Sequence, residues 1–233
     1  MKTVVITGAS RGIGFAIAEI FAQNGHNLLL TSRSDINLYK AMETLQTKYD
    51  TIEIRAKAFD LSIREQATAF GAWCLQHATP QILVNNTGSF EPGNIGDEAD
   101  GVLESQIATN LYSAYHVTRA LLPAMKQEKS GHIFNMCSIA SLKAYPNGGA
   151  YSISKYALHG FSTNLREELK TEGIKVTSVF PGAVLTDSWE GFDNSAKRIM
   201  EVTDVAAMVW AASKLSFAAC VEDLILRPQL GDL

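Results

Sequence analysis

The chain has 233 residues, 46% of them hydrophobic and 19% charged, an ordinary globular composition large enough for one substantial core and, by default, one domain over 1–233. Its net charge of -4 provides no basic surface, so no nucleic acid and no membrane is expected as a partner. Cys74, Cys137 and Cys220 are too widely spaced and odd in number for a disulfide framework or a zinc site, and a reducing compartment is the simplest setting.

Lys2 to Thr7 is a short β-branched run, and Met1-Lys2-Thr3 leads into it without a signal-peptide apolar region. No apolar run approaches membrane-spanning length, so a soluble, cytoplasmic protein is expected. From Gly12 onward Ile13, Ala16, Ile17, Ile20 and Phe21 fall at helical spacing. Asn27 to Ser32 reads as a strand buried on both faces, because Leu28, Leu29 and Leu30 are continuous rather than alternating. Tyr39 to Tyr49 reads as a helix, Thr51 to Phe59 as a strand, and Ser62 to His77 as a helix capped by Ser62. Gln81 to Asn85 is a strand, Glu98 to Lys126 one long helix, His132 to Cys137 a strand and Tyr151 to Thr171 a helix. Lys175 to Phe180, Val202 to Leu215 and Asp223 to Leu226 close the alternation. Strands alternating with helices in short connections predict an α/β fold: a single Rossmann-type, doubly wound parallel sheet with helices on both faces.

Ligands of such sheets bind beyond the carboxyl ends of the strands. Gly8, Ser32, Arg33, Asp60, Asn85, Ser138 and Pro181 all stand at or just past predicted strand ends. Between the first strand and helix lies Thr7-Gly8-Ala9-Ser10-Arg11-Gly12-Ile13-Gly14, the context that phosphate binding requires. Gly8 permits a tight turn, Gly12 admits a pyrophosphate to the backbone, Gly14 allows close packing of the helix, and the helix N-terminus supplies N–H donors. The spacing is GxxxGxG rather than GxGxxG.

Tyr151 and Lys155 lie one helical turn apart and project on one face. About a third of one such pair is expected by chance in this composition, so its weight comes from the dinucleotide loop upstream and from Ser138 at a strand end. A phenol has a pKa near 10, and lowering it to ~7 requires about 4 kcal/mol of phenolate stabilisation, which a nearby ammonium can supply in large part. Ser138 can donate a hydrogen bond to a substrate oxygen. His26, His77, His116, His132 and His159 form no metal-ligand spacing, and no metal is expected.

In this order, over essentially the whole length, the chain resembles the short-chain dehydrogenase/reductase family. Thr7 to Gly14, including Ser10, Arg11 and Ile13, looks like its cofactor loop. Asp60, with Leu61 beside it, resembles the adenine contact, and Asn85-Asn86-Thr87-Gly88 the motif after the fourth strand. Thr87 departs from the family, where alanine is usual. Asn110 resembles the helical catalytic asparagine, Ser138, Tyr151 and Lys155 the catalytic group, and Pro181-Gly182 with Val184 and Thr186 the nicotinamide-side loop. The resemblance implies a nicotinamide-dependent oxidoreductase in which Tyr151 transfers the proton, Lys155 also holds the ribose hydroxyls, and Asn110 holds a water that relays protons to Lys155. It also implies a homodimer or homotetramer formed through the helices containing Asn110 and Tyr151.

Ser32 stands where an acidic residue would select NAD, and Arg33 follows it, with Arg11 as a second cation. Guanidinium matches a 2′-phosphate, so NADP(H) is expected over NAD. Asp35 is read as the start of the next helix. The segment Val221 to Pro228 resembles members that reduce pterin side-chain ketones, of sepiapterin reductase type, or that oxidise 3-hydroxy acids. A small carbonyl or alcohol is the expected substrate. Two alternatives stand beside this: a 3-oxoacyl carrier-protein reductase, and a regulator that senses NADP(H) without turnover. Thr87 to Asp97 and Thr186 to Ala196 look loop-like, and a substrate lid is expected within 186–200, built around Trp189 and Phe192. A helix packing these aromatics on the body is the other reading of that segment. Tyr145, Trp189 and Phe192 are expected in the pocket.

Overall fold

Val4 and Ile6 of the first strand enter one apolar cluster and Val5 the other, because successive side chains of a strand alternate between faces. Leu28 and Leu30 divide from Leu29 in the same way, which is why this run had to be continuously apolar. The computed structural model describes residues 2–189 and 191–232, with the Ser188 side chain also left aside. Its seven strands are β1 (Thr3–Thr7), β2 (Asn27–Thr31), β3 (Ile54–Ala56), β4 (Ile82–Asn85), β5 (Gly131–Met136), β6 (Ile174–Pro181) and β7 (Asp223–Leu226). They form one sheet in the order β3-β2-β1-β4-β5-β6-β7, parallel throughout.

Helices α1 (Gly12–Gln23), α2 (Asp35–Lys48) and α7 (Val202–Ser213) cover one face, burying Ile17 and Phe21, Leu38 and Leu45, and Val205 and Val209. On the other face α3 (Arg64–His77), α5 (Ser113–Glu128) and α6 (Gly149–Leu169) contribute Phe70, Val117, Leu121 and Leu165. Each such fully buried side chain contributes about 1.5–3 kcal/mol relative to an exposed one. The doubly wound sheet expected from the alternation is therefore present, and no helix among the described residues is long and apolar enough to cross a membrane.

Local boundaries differ where side chains compete for the backbone. The second helix begins at Asp35, as expected for that residue and four residues before the Tyr39 boundary, because Ser34 accepts from Asn37 N at 3.3 Å and the Asp35 carboxylate accepts from Ile36 N at 2.7 Å. Ser62 does not cap α3: its hydroxyl donates to Asp60 Oδ1 at 2.6 Å, and the helix starts at Arg64. The strand expected over Thr51 to Phe59 shrinks to β3, an edge strand paired only with β2. The long helix expected from Glu98 starts only after Gly101 and is divided into α4 (Val102–Ile107), a π turn (Ala108–Tyr112) and α5. A π turn inserts an extra residue into the helical ring, and here it carries the buried Asn110.

The sheet order reverses between β1 and β4, so their carboxyl ends diverge into separate loops at one edge. That crevice is where a doubly wound sheet receives its ligand.

Candidate active site

Thr7, the last residue of β1, ties the two sides of the crevice together. Its Oγ1 accepts from the backbone N–H groups of Asn86 and Thr87, both at 2.9 Å. The Asn86 amide in turn donates to the carbonyls of Thr7 and Gly8 at 3.0 and 3.1 Å, so this side chain braces the glycine loop. Gly8 takes φ +63, the left-handed turn expected of it. A Cβ on Gly14 would run into the Gly8 carbonyl and the Asn86 amide, so the close approach at Gly14 is to the loop itself.

Farther along the same edge, Ala9 N donates to Thr31 O at 3.0 Å and Phe59 N to Ser32 O at 3.1 Å. These bonds tie the glycine loop, which contains Ser10, to the end of β2 before Ser32 and Arg33, and tie Ser32 to the segment that leads into Asp60 and Leu61. Ser32 is buried and donates to Ser34 O, whereas Arg33 is exposed and has no acidic partner among the described residues. The Asp60 carboxylate accepts from both the N–H and the hydroxyl of Ser62. Arg11 turns the other way and pairs with Asp187, in the segment after β6.

A cavity of about 770 Å³ opens beyond β1, β4, β5 and β6. Of the residues singled out in the sequence it collects Ile13, Asn86, Gly88, Ser138, Tyr151 and Lys155, together with Pro181, Gly182, Val184 and Thr186. Gly12 lies alongside, with Thr186 about one van der Waals contact from where its Cβ would be. Tyr145 and Trp189 line the cavity as expected, while Phe192 packs edge-on against Trp189 at 5.3 Å. The segment 186–200 contains Glu190, which lies outside the described residues; within it Asp187–Trp189 forms a short 3-10 turn, and Met200 bridges to Val184.

Ser138 leaves β5 with its Oγ accepting from Ala140 N at 3.2 Å, while its own N–H donates to Ser141 Oγ, a reciprocal cap that fixes its position. Tyr151 is in the first turn of α6. Burial pushes its phenol up to about 12, against which a hydrogen bond from Ser138 pulls it down. One turn on, Lys155 is buried, its Nζ donates to Met136 O at 2.8 Å, and burial lowers it to about 8. The expectation of a phenol lowered toward neutrality is therefore corrected. Lys155 Nζ stands 5.8 Å from the Tyr151 ring centre and is held by a backbone carbonyl, so desolvation outweighs its attraction for a phenolate.

Asn110 lies outside the cavity lining and is fully buried behind it. Its Oδ1 accepts from Ser89 N at 2.8 Å, and its amide nitrogen lies within 2.9–3.0 Å of Ser89 O, Gln106 Oε1 and Ser154 Oγ. Ser89, Gln106, Ser154 and Met136 were not singled out in the sequence, because they act through contacts between distant elements. Phe90 packs edge-on against the Tyr151 ring at 4.9 Å, and as an aromatic inside a polar loop it was the one such residue with a visible signal.

A family model described as short chain dehydrogenase matches residues 2–197. The chain belongs to the short-chain dehydrogenase family. As a member of that family it is an NAD(P)-dependent oxidoreductase. It is 32% identical over 239 residues to sepiapterin reductase of Chlorobaculum tepidum, covering 99% of this chain and 97% of that one. Among solved structures it is similar to an alcohol dehydrogenase from the archaeon Thermococcus sibiricus complexed with 5-hydroxy-NADP, with TM-score 0.90, 28% identity, and 98% and 97% of the two chains covered. It is also similar to L-sorbose reductase from Gluconobacter frateurii complexed with NADPH and L-sorbose, with TM-score 0.89, 26% identity, and 97% and 94% covered. One sheet edge of this chain carries both the glycine loop and the tyrosine helix.

Proposed function

We propose that this short-chain dehydrogenase interconverts a small carbonyl compound and its alcohol with NADP(H), with Tyr151 giving and taking the proton. The observation that carries this reading is that Ser138, Tyr151 and Lys155 line the wall of one cavity that also reaches Gly88 and Gly182.

The residues present fit the cofactor. The N-terminus of α1 has no side-chain cap and no acidic residue in its first turn, so its N–H groups are suited to the pyrophosphate, beside Gly8, Ser10, Gly12, Ile13 and Gly14. Arg33 is suited to the 2′-phosphate, with Ser32 in place of an acid. Asp60 and Leu61 would border the adenine. Asn86, Thr87, Gly88, Pro181, Gly182, Val184 and Thr186 would border the nicotinamide half. NADPH supplies the hydride when bound. 5-Hydroxy-NADP in the solved complex of the similar alcohol dehydrogenase and NADPH in that of the sorbose reductase support the same choice.

The substrate oxygen accepts hydrogen bonds from Ser138 Oγ and Tyr151 Oη. As negative charge develops on that oxygen, Tyr151 releases its proton to it, and Ser138 stabilises what remains. A phenol held near 12 is fully protonated at neutral pH, the form a donor needs. Lys155, mostly cationic at pH 7, favours transient phenolate and binds ribose hydroxyls. The proton returns to Tyr151 by way of Lys155 and a water held by Asn110. The lid lies within 186–200, with Thr186 and Trp189 on the cavity wall. Tyr112, Ile153 and Tyr156 are exposed apolar residues on the elements carrying Asn110 and Tyr151, with Leu103 on the adjoining α4, and they support pairing of two copies there.

The test uses the purified protein with NADPH and a panel of diketones, 3-oxoesters, pterins and carrier-linked thioesters, following NADPH absorbance. Tyr151→Phe is expected to lower turnover by about 10²–10⁴ while leaving NADPH affinity within about threefold. Full turnover in Tyr151→Phe removes the tyrosine from the mechanism, and NADPH binding without consumption of any substrate favours the regulator.

A further inference from the structure

The helix that carries Tyr151 and Lys155 has no cap of its own. Gly148 stands at the N-cap position of α6 without a side-chain hydrogen bond, and no acidic residue lies in the first turn. Glu98, 52 residues earlier, supplies the acceptor: its Oε1 takes the Ala150 N–H at 2.8 Å, at the residue immediately before Tyr151. Two glycines make room for this carboxylate. A Cβ on Gly149 would overlap Glu98 Oε1, and one on Gly93 would stand 2.7 Å from Glu98 Cγ.

The contact belongs to a clasp between two loops. Gly93 N donates to Asn147 O at 3.1 Å, Asn147 N donates to Asn94 Oδ1 at 3.2 Å, and Glu98 N closes a turn onto Asn94 O at 3.0 Å. The same loop sends Phe90 edge-on against the Tyr151 ring. One segment, Phe90 to Glu98, thus grips the tyrosine from two sides: by its ring and by the backbone of the turn that bears it.

We propose that Glu98 is a positioning residue for catalysis, holding the first turn of α6 so that Tyr151 stays registered with Ser138. This rests on the reading of Tyr151 as the proton donor. Glu98 touches neither Tyr151 Oη nor the cavity, and it acts through the Ala150 N–H. Helix capping by a remote side chain fixes the angle at which the chain enters the helix, and small displacements of a proton donor carry large rate penalties.

The experiment compares Glu98→Ala, Glu98→Asp and Glu98→Gln with the parent enzyme, at a temperature well below every melting point. Glu98→Ala removes the acceptor, Glu98→Asp keeps the charge but withdraws it from Ala150, and Glu98→Gln keeps an acceptor oxygen without charge. The expected result is a kcat about tenfold or more lower in the Ala and Asp variants, with NADPH affinity unchanged, and recovery of most of that loss in Glu98→Gln. Parent-like kcat in folded Glu98→Ala, or a pattern in which Asp is active and Gln is not, overturns the proposal. If Glu98→Ala does not fold, the comparison of Asp with Gln decides it. Tyr151→Phe run in parallel separates the two levels: undiminished turnover there overthrows the tyrosine mechanism, whereas its loss beside an active Glu98→Ala overthrows only the role of Glu98.

Discussion

Asn110 Oδ1 and Lys155 Nζ converge on the bare Cα of Gly88: a Cβ built there would lie 2.9 Å from the first and 3.3 Å from the second. The space left by the missing side chain lies between the two groups of the proposed proton route.

Gly88→Ala is therefore expected to lower kcat by about 10-fold to 100-fold, because the added methyl displaces the Lys155 ammonium or the Asn110 amide. Far-UV circular dichroism should remain parent-like. Steady-state kinetics with saturating NADPH check this, and a kcat within about twofold of the parent would show that the gap serves no proton route.

Lys155 gives the pH dependence a definite sign. Its ammonium is lowered by burial to about 8 from an unfolded value of 10.5, so between these values the folded chain binds fewer protons than the unfolded one. The contribution of this group to stability therefore rises with pH across that window, while the cation needed for chemistry disappears. Reductive kcat should fall above about pH 8 without a matching fall in melting temperature from this source. A flat kcat profile from about pH 7 to 9.5 would contradict the role of the Lys155 cation.

Arg33 and Arg11 separate in the structure, since Arg11 pairs with Asp187 and Arg33 has no acidic partner among the described residues. Arg33→Asp should therefore lower the ratio of NADPH to NADH efficiency by about tenfold or more, and Arg11→Ala should lower it less. An unchanged ratio in Arg33→Asp would be evidence against NADP selection by this residue.

His132 predicts acid lability. It is buried between strands with its Nε2 2.7 Å from Thr177 Oγ1 and its ring stacked on Phe134, and burial lowers it to about 3. Between that value and 6.5 the unfolded chain binds more protons, so stability from this group falls as pH drops below 6.5, by up to about 1.4 kcal/mol per pH unit. Urea midpoints at pH 7 and pH 5 should differ less in His132→Asn than in the parent; an equal difference would place the acid sensitivity elsewhere.

The continuous apolar run Leu28 to Leu30, the turn residues Gly8 and Gly12, and the one-turn spacing of Tyr151 and Lys155 made the doubly wound sheet and the two halves of its site legible. These signals are local, because periodicity, a turn that needs positive φ, and one helical turn all act within a few residues. The lengths of the elements were less legible. Ser62 has the chemistry of a cap but spends its hydroxyl on Asp60, and nothing in Glu98 to Lys126 announces the π turn that places Asn110.

By itself the sequence determined that strands and helices alternate, that the run Leu28 to Leu30 is buried on both faces, and that a glycine loop and a tyrosine-lysine pair are available. Tertiary structure alone decided which groups meet: Thr7 with Asn86, Lys155 with the Met136 carbonyl, Asn110 with Ser154, and Glu98 with Ala150. It also decided proton affinity, since burial raises that of the Tyr151 phenol, to about 12, and lowers that of Lys155, to about 8. Desolvation is a property of everything packed around a group, and residues far apart in the chain supply most of that packing.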